Sequence, residues 1–408
     1  MLNSTPNTHE ILISVHELRL GMYVSRLDRD WLESPFMMQG FLLETQEDID
    51  VVASICEEVY IDPQRRDRGA SDASSSVGTA TQAFNPEPAY HTSFSDEHNV
   101  VTPAFERARS HVKDIFRGLR LSQEIDVSVA QSTVDDCVES VLRNPDALMW
   151  LSRIRSESEY TAEHSLNVCV LAVTFGRHLG MSPVELKNLG ICALLHDVGK
   201  MRVPEEILNK PDPFTDRELS LMRSHTVHGR NLLMSTPNLF EGAIDVAYSH
   251  HERLDGKGYP RKISAEKITR YTRIVSIVDA YDAMTADRCY SNAMSSTDAL
   301  RIIYNLRGTQ FDEDLVIRFI ESVGLYPPGT IVELHNGLIG IVLTTRPEKR
   351  HLPDVKLLLN ASHEALEVEE IIDLSAIDAG ELSRRYYVKT VHPSGSFGIH
   401  PHDLNPLY

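Results

Sequence analysis

The sequence predicts a multi-domain protein: a central all-α domain, with a small α+β domain before it and a small β-rich extension after it. Three observations predict this fold class. The first 65 residues mix strand-like and helical patterns, residues 101–326 show helical spacing without clear strand patterns, and residues 327–408 contain apolar runs that flank a turn. The chain has 408 residues, 42% of them hydrophobic, which is enough for two or three domains with their own cores.

The N-terminal domain, residues 1–65, is predicted to be a small α+β module. Residues 11–15 are apolar and predict a strand, and residues 21–24 predict a second strand after a turn. Residues 45–58 predict a helix, because apolar side chains recur at helical spacing at Ile49, Val52, Ile55 and Val59. Residues 59–62 predict a closing strand. Nothing in this module carries catalytic chemistry.

Residues 66–100 predict a flexible linker. Small and polar residues, glycine and proline dominate this segment, and large apolar side chains are few. A segment of this composition cannot bury enough surface to offset the entropy lost on ordering. We therefore place a domain boundary here and expect the helical domain to occupy residues 101–326.

Helix boundaries in the central domain are marked by residues with known capping roles. Ser182 and Thr215 each begin a capping box, since a glutamate follows three residues later. Gly308 and Gly324 are predicted to end helices. Beyond them, Asn-Gly at 336–337 lies between two apolar runs, which is typical of a β-hairpin, and residues 355–359 predict a third strand. Residues 327–408 therefore form the β-rich extension.

Charge and cysteine content exclude several protein classes. The formal net charge is −19, which argues against broad nucleic-acid binding, although metal ions could make one site attractive to an anion. The five cysteines show no short-range spacing pattern, which favours reduced thiols. No signal peptide is visible, and no apolar run approaches the length needed to span a membrane. We expect a cytoplasmic protein that does not bind membranes.

Five segments of the central domain supply side chains suited to binding metal ions. These are His164, the pair His196 and Asp197, His225, the pair His250 and His251, and Asp279. Imidazole and carboxylate together suit iron, manganese, nickel or zinc, and five histidines with two carboxylates suffice for two metals that share a carboxylate. Asp197 is the natural bridge, since its two oxygens can be shared.

Several of these residue types also have ordinary structural explanations. A single histidine in a helix is more often a satisfied structural residue than a ligand, and we interpret His178, His228, His335 and His363 in this way. Asp282 and Asp287 fit helix caps or salt-bridge partners. Asp279 follows the apolar run 274–278, where a charge is costly unless it is paired or bound to a metal.

The motifs in the central domain resemble those of the HD-GYP family, within the HD phosphohydrolase superfamily. The matching strings are YTAEHS at 160–165, HDVGK at 196–200, HTVHG at 225–229, HHERLDGKGYP at 250–260 and DAYDAMTADR at 279–288. The resemblance covers roughly residues 140–325. Residues 10–62 also resemble the small N-terminal domain of unknown function that often precedes HD-GYP domains.

The resemblance implies a helical phosphodiesterase that hydrolyses cyclic di-GMP to pGpG and then to GMP, using a hydroxide activated by two metals. One metal would be held by His164, His196, Asp197 and Asp279, and the other by His225, His250 and His251, with Asp197 bridging. Lys200 would hold a phosphate oxygen or protonate the leaving oxygen. Substrate contacts would come from Gly256, Gly258, Tyr259, Pro260 and Arg288. Iron is the first expectation for the metal, ahead of manganese, nickel or zinc.

Two departures from the family pattern affect these expectations. Tyr160 stands where some members carry a glutamate that completes a third metal site, so a dinuclear centre is expected. Ser291 stands where the family usually has a basic residue, which predicts weaker substrate binding. Two alternatives stay open: a cyclic di-GMP receptor with little turnover, and a phosphohydrolase of another cyclic dinucleotide. A homodimer, or a signalling partner engaged through the N-terminal domain, is also consistent with the sequence.

Overall fold

The computed structural model describes residues 10–28, 40–43, 46–63, 91–121, 124–154, 160–286, 293–346 and 349–407. The chain divides into two compact units, Met1–Pro86 and Glu87–Tyr408. Within the described residues the first unit contains one sheet and one α-helix, and the second contains α-helices followed by a sheet. The predicted fold class is therefore confirmed.

The N-terminal unit is a four-stranded antiparallel sheet with one helix. Its elements are β1 (Ile11–Ser14), β2 (Tyr23–Leu27), β3 (Phe41–Leu42), α1 (Gln46–Ile55) and β4 (Glu58–Ile61). The strand order is β1-β4-β2-β3, so the predicted closing strand lies inside the sheet. Val24, Val52 and Val59 have no exposed surface and form part of its core. The predicted strands and helix are confirmed, whereas β3 was not predicted.

The second unit begins with twelve described helices. They are α2 (Phe94–Arg120), α3 (Val127–Arg143), α4 (Pro145–Ser152), α5 (Tyr160–His178), α6 (Pro183–Leu195), α7 (Glu205–Leu208), α8 (Asp216–Arg223), α9 (His225–Met234), α10 (Glu241–Ser249), α11 (Arg270–Thr285), α12 (Ser296–Asn305) and α13 (Glu313–Val323). Helices α5 and α6 pack against each other at the centre of the unit, and most of their side chains are buried. The second half of α6, from Leu189 to Leu195, is buried on all sides, as expected for a helix segment inside a core.

The predicted helix ends are observed at both capping boxes. The Ser182 hydroxyl accepts the backbone N–H of Glu185, whose carboxylate accepts the backbone N–H of Ser182 in return. Thr215 and Glu218 make the same reciprocal pair at the start of α8. These caps satisfy backbone donors that the first turn of a helix leaves without partners. They fix where α6 and α8 begin.

The predicted linker, residues 66–100, is wrong in its last residues, because the helical domain begins earlier than residue 101. Helix α2 begins at Phe94, inside the range 66–100 that composition assigned to a linker. Ser93 caps it by accepting the N–H of Asp96, and the buried Glu97 accepts hydrogen bonds from Arg143 on α3. The cap at Ser93 is a local signal of this helix start, whereas the composition of the segment alone does not show it. Residues 64–90 lie outside the described residues.

A five-stranded antiparallel sheet follows the helices. Its strands are β5 (Ile331–Leu334), β6 (Ile339–Thr344), β7 (Asp354–Leu359), β8 (Ala365–Asp373) and β9 (Val388–His392), in the order β8-β7-β6-β5-β9. The predicted Asn-Gly hairpin joins β5 and β6, and Gly337 has the positive φ of 85° that such a turn requires.

The sheet is joined to the helices through a buried carboxylate. Asp146 on α4 accepts the hydroxyl of Thr344 at 2.7 Å and the backbone N–H of Thr345 at 2.6 Å. Burial raises the pKa of Asp146, an effect that these donors oppose. Among the described residues, no helix is long and apolar enough to cross a membrane.

Candidate metal centre

All seven predicted metal ligands come together in the second unit. They are His164 on α5, His196 and Asp197 directly after α6, His225 at the start of α9, His250 and His251 directly after α10, and Asp279 on α11. Five of them are almost completely buried, while His251 and Asp279 are partly exposed. These two residues therefore mark the side of the cluster that is open to solvent.

Asp197 lies at the centre of the cluster, and its two carboxylate oxygens face different histidines. Oδ2 is 3.5 Å from Nε2 of His164 and 3.3 Å from Nε2 of His196. Oδ1 is 3.4 Å from Nε2 of His225 and 3.7 Å from Nε2 of His250. A carboxylate that presents one oxygen to each side suits a bridge between two cations.

The ligand atoms form overlapping groups on the two sides of Asp197. One group contains His164, His196 and Asp279, and another contains His225, His250 and His251. A third group, His196, Asp197 and His250, shares one histidine with each of them. Within each group the candidate ligand atoms all lie within 4.8 Å of one another. The first two groups correspond to the division between two metals that the family resemblance implies. The assignment of each ligand to a metal stays a prediction.

Backbone carbonyls orient three of the imidazole rings. Nδ1 of His196 donates to the carbonyl of Ala193 at 2.6 Å, Nδ1 of His225 to Met222 at 2.7 Å, and Nδ1 of His250 to Val246 at 3.0 Å. A carbonyl only accepts, so the hydrogen of each neutral ring lies on Nδ1 and the lone pair of Nε2 faces the centre. This is the tautomer required for a metal bond through Nε2.

Several atoms at the centre lack the partners that buried polar atoms normally have. Nε2 of His196 and Oδ1 of Asp197 have no hydrogen-bond partner among the described residues. Nε2 of His225 lies only 3.3 Å from Nε2 of His250, and both atoms carry lone pairs in the tautomers fixed by the carbonyls. Lone pairs that converge in a buried space require a cation between them. The residues present therefore fit a metal ion.

The pKa shifts of the histidines and of Asp197 also fit a bound metal ion. Burial lowers the pKa of His225 to about 4 and that of His250 to about 3, so both rings are neutral at pH 7. Burial opposes ionisation of Asp197, but Lys200 and His196 hold its pKa well below the usual range.

His196 shifts in the opposite direction. Burial disfavours its charged form, yet Asp197 and Asp279 raise its pKa to about 10. In the metal-free protein a proton on His196 thus supplies part of the positive charge that the two carboxylates need. A metal ion would take the place of that proton.

Two residues that the sequence did not mark as functional position the ligands. Nδ1 of His164 lies 2.8 Å from Oδ2 of Asp282, a buried carboxylate one turn beyond Asp279. Carboxylates in this position orient a histidine ligand and raise its basicity. Gly199 allows α9 to approach, because a Cβ there would lie 1.9 Å from the carbonyl oxygen of His225.

The loop 256–260 is held beside the histidine cluster by its own backbone. Glu252 accepts backbone N–H groups from Arg261, Lys262 and Ile263 at 2.6 to 3.3 Å, which closes the loop. Gly258 is required here, since a Cβ would lie 2.5 Å from the Cα of Glu252. Gly256 supplies a positive φ of 70°.

Tyr259 lies against a candidate ligand. Its ring stacks on His251 with a centroid distance of 4.7 Å and an interplanar angle of 26°. The next residue, Pro260, follows through a cis peptide bond. The loop therefore places an aromatic side chain at the partly exposed edge of the cluster, where it can contact a bound molecule.

Lys200 and Glu163 also lie near the cluster. Nζ of Lys200 pairs with Oδ2 of Asp197, the predicted bridging residue. Glu163 is bound to Arg109 on α2 at 2.7 Å, so its carboxylate is neutralised by arginine. This pairing argues against Glu163 as a ligand of a third metal. Arg288 and Ser291 lie outside the described residues.

Comparison with known proteins identifies the family. A family profile described as HD domain matches residues 149–315, and one described as a domain of unknown function, DUF3391, matches residues 10–130. The cyclic di-GMP phosphodiesterase PA4108 of Pseudomonas aeruginosa is 35% identical over 377 residues, which cover 91% of this chain and 90% of that protein.

The chain belongs to the HD-GYP family.

Other relatives match a smaller share of this HD-GYP protein. A cyclic di-GMP phosphodiesterase of Thermotoga maritima is 36% identical over 169 residues, which cover 40% of this chain and 46% of that protein. The 3′3′-cGAMP-specific phosphodiesterase 3 of Vibrio cholerae is 33% identical over 174 residues, 43% of this chain and 38% of that protein. HD domains are metal-dependent, in agreement with the clusters described above.

Proposed function

We propose that this HD-GYP protein hydrolyses cyclic di-GMP by means of two divalent metal ions. The observation that carries this proposal is the position of Asp197, with two histidine Nε2 atoms within 3.7 Å of each carboxylate oxygen. The chain is similar over most of its length to a protein named as a cyclic di-GMP phosphodiesterase, and this similarity supports the choice of substrate. The products are predicted to be pGpG, GMP or both.

The donor set determines which metals fit. His164, His196 and Asp279 would hold one ion and His225, His250 and His251 the other, with Asp197 shared. Imidazole and carboxylate donors accept iron, manganese, nickel or zinc, and iron is the first expectation. Such ions, when bound, activate water and offset the negative charge that grows on a phosphodiester during hydrolysis.

The protein's own side chains bind and orient the substrate. Tyr259, stacked on His251, offers a ring face to a purine base. Lys200, whose ammonium group lies at the carboxylate of Asp197, is placed to hold a phosphate oxygen or to give a proton to the departing 3′ oxygen. Gly256, Gly258 and Pro260 keep the loop backbone beside this position, and Arg288 is proposed as a further phosphate contact.

A second candidate substrate is a hybrid cyclic dinucleotide. The relative from Vibrio cholerae is named as specific for 3′3′-cGAMP, and its similarity covers 43% of this chain. Both substrates share the phosphodiester that the metal centre would cleave, so the difference lies in base recognition. A receptor with little turnover is disfavoured, because all seven predicted ligand side chains are present and converge.

Substitution of the central ligands tests the proposal. Asp197→Ala and His196→Ala are expected to abolish hydrolysis of cyclic di-GMP and to lower the metal content of the purified protein. His178→Ala is the matched control, since His178 is on α5 but belongs to none of the three ligand groups. Normal turnover with full metal content in either ligand variant would refute the proposed centre.

Lys200→Ala separates chemistry from metal binding. Loss of the ammonium group is expected to lower kcat about 100-fold, in the range of general acid catalysis, while the metal content stays close to that of the unaltered protein. Unchanged kcat would show that Lys200 neither contacts the phosphate nor transfers the proton.

A further inference from the structure

Arg223 is the last residue of α8 and lies beside the loop 256–260. Its side chain is exposed, and its guanidinium carbon is 5.0 Å from the centroid of the Tyr259 ring. Tyr259 in turn stacks on His251, a candidate metal ligand. Arg223 is therefore only one aromatic ring away from the metal centre, and on its partly exposed side.

Three other arginines of the helical region are neutralised by carboxylates. The pairs are Arg253 with Asp255 at 2.8 Å, Arg261 with Asp245 at 3.2 Å, and Arg273 with Asp312 at 2.7 Å. Arg223 has no such partner among the residues that the structure describes, and its only described side-chain contact is the ring of Tyr259. A cation–π contact uses the face of the guanidinium and leaves its N–H donors free.

An unpaired arginine beside the site is unexpected in a chain with a net charge of −19. Carboxylates are abundant, yet none of those described neutralises Arg223. The guanidinium fork matches the oxygen atoms of a phosphate, to which it donates two parallel hydrogen bonds. The geometry thus favours an anionic group of the ligand as the partner of Arg223.

We propose that Arg223 binds the phosphodiester of the cyclic dinucleotide that is not being cleaved. A cyclic dinucleotide carries two phosphodiesters, and only one can occupy the metal centre at a time. The second is an anion that must be held elsewhere, and Lys200 is already committed to the centre through Asp197. This inference rests on the proposed function and adds a residue that determines specificity for cyclic over linear dinucleotides.

Three substrates test this role. Cyclic di-GMP has two phosphodiesters, the linear dinucleotide GpG has one phosphodiester and both guanines, and bis(p-nitrophenyl) phosphate has one phosphodiester and no purine. Arg223→Ala is expected to lower kcat/KM for cyclic di-GMP about 10- to 100-fold, mainly through KM, as for the loss of charge-assisted hydrogen bonds. Values for the other two substrates are expected to stay unchanged, and Arg223→Lys is expected to recover part of the loss.

Arg230→Ala is the matched control. Arg230 also makes a cation–π contact, at 5.2 Å from the ring centroid of Tyr248, but it does not contact Tyr259. An equal loss on GpG would show that Arg223 reads guanine or only positions Tyr259, and would overturn the proposal. A loss on cyclic di-GMP no larger than that of the control would also overturn it.

Assays of the unaltered protein distinguish a failure of the proposed function from a failure of the proposed role of Arg223. If the unaltered full-length protein turns over bis(p-nitrophenyl) phosphate but not cyclic di-GMP, the proposed function fails, and the role of Arg223 fails with it. If the unaltered protein hydrolyses cyclic di-GMP and Arg223→Ala matches it, only the role of Arg223 is refuted. Activity of Arg223→Ala on bis(p-nitrophenyl) phosphate shows that the variant is folded and holds its metals.

Discussion

Removing the carboxylate of Asp282 should weaken the metal centre without removing any ligand. Its Oδ2 lies 2.8 Å from Nδ1 of His164, and the two side chains are 2% and 1% exposed. A carboxylate behind a histidine ligand fixes the ring and raises the basicity of the atom that faces the metal. Loss of such a partner typically weakens metal binding 10- to 100-fold, or about 1.4 to 2.7 kcal/mol. Asp282→Asn keeps an oxygen that can accept from His164, so its loss of metal affinity should be about 10-fold. Asp282→Ala removes this acceptor, so its loss should be about 100-fold.

Competition with a chelator, read by metal analysis of the full-length protein, measures this effect. Glu321→Gln is the matched control, because Glu321 also faces a histidine, His178, at 3.6 Å but lies outside the ligand groups. The control should bind metal as the unaltered protein does. If Asp282→Ala retained its metals as tightly as the control, Asp282 would not support His164 as a ligand and the reasoning would be refuted.

Three further predictions concern stability and assembly of the centre. Burial lowers the pKa of His250 to about 3 in the folded protein, whereas the pKa of an unfolded histidine is about 6.5. Between these two values the unfolded chain binds more protons at His250 than the folded chain does, so the metal-free protein loses stability as the pH falls. His250→Gln should therefore flatten the pH dependence of the unfolding free energy by up to about 1.4 kcal/mol per pH unit, measured by urea denaturation; an unchanged slope would contradict this. Gly199→Ala should lower both the metal content and the Tm, because the added Cβ would clash with the carbonyl oxygen of His225. The control is Gly380→Ala: Gly380 has a positive φ but no atom within 4 Å of an added Cβ, so this variant should lose only about 1–2 kcal/mol of unfolding free energy and keep its metals. Asp146→Ala should cost about 2–4 kcal/mol in chemical denaturation, since it leaves the buried N–H of Thr345 without its acceptor; a loss below about 1 kcal/mol would show that this link is weak.

Much of the metal centre could be predicted because its residues lie in short sequence motifs. The adjacent pair His196 and Asp197 lies directly after the capped helix α6, and the adjacent pair His250 and His251 lies directly after α10. Local patterns also predicted the capping boxes and the hairpin at Gly337, each of which depends on residues close in sequence. These features need no knowledge of which helices touch.

Features that depend on distant contacts were not predicted. Composition placed residues 94–100 in a linker, whereas they begin α2, which the local cap at Ser93 starts and which Glu97 holds to Arg143 forty-six positions later in the chain. Asp282 was assigned to a cap or salt bridge, and its role behind His164 becomes visible only when α5 and α11 are packed. The same holds for Gly199, which sequence shows only as a glycine of a motif. The roles of such residues are defined by their neighbours in space.

Hydrolysis of cyclic di-GMP by the full-length protein, purified without oxygen and with its metal content measured in the same sample, tests the central claim most directly. The account predicts that pGpG or GMP appears in chromatography and that the active protein holds about two metal ions per chain. Absence of product from a sample with that metal content would contradict it.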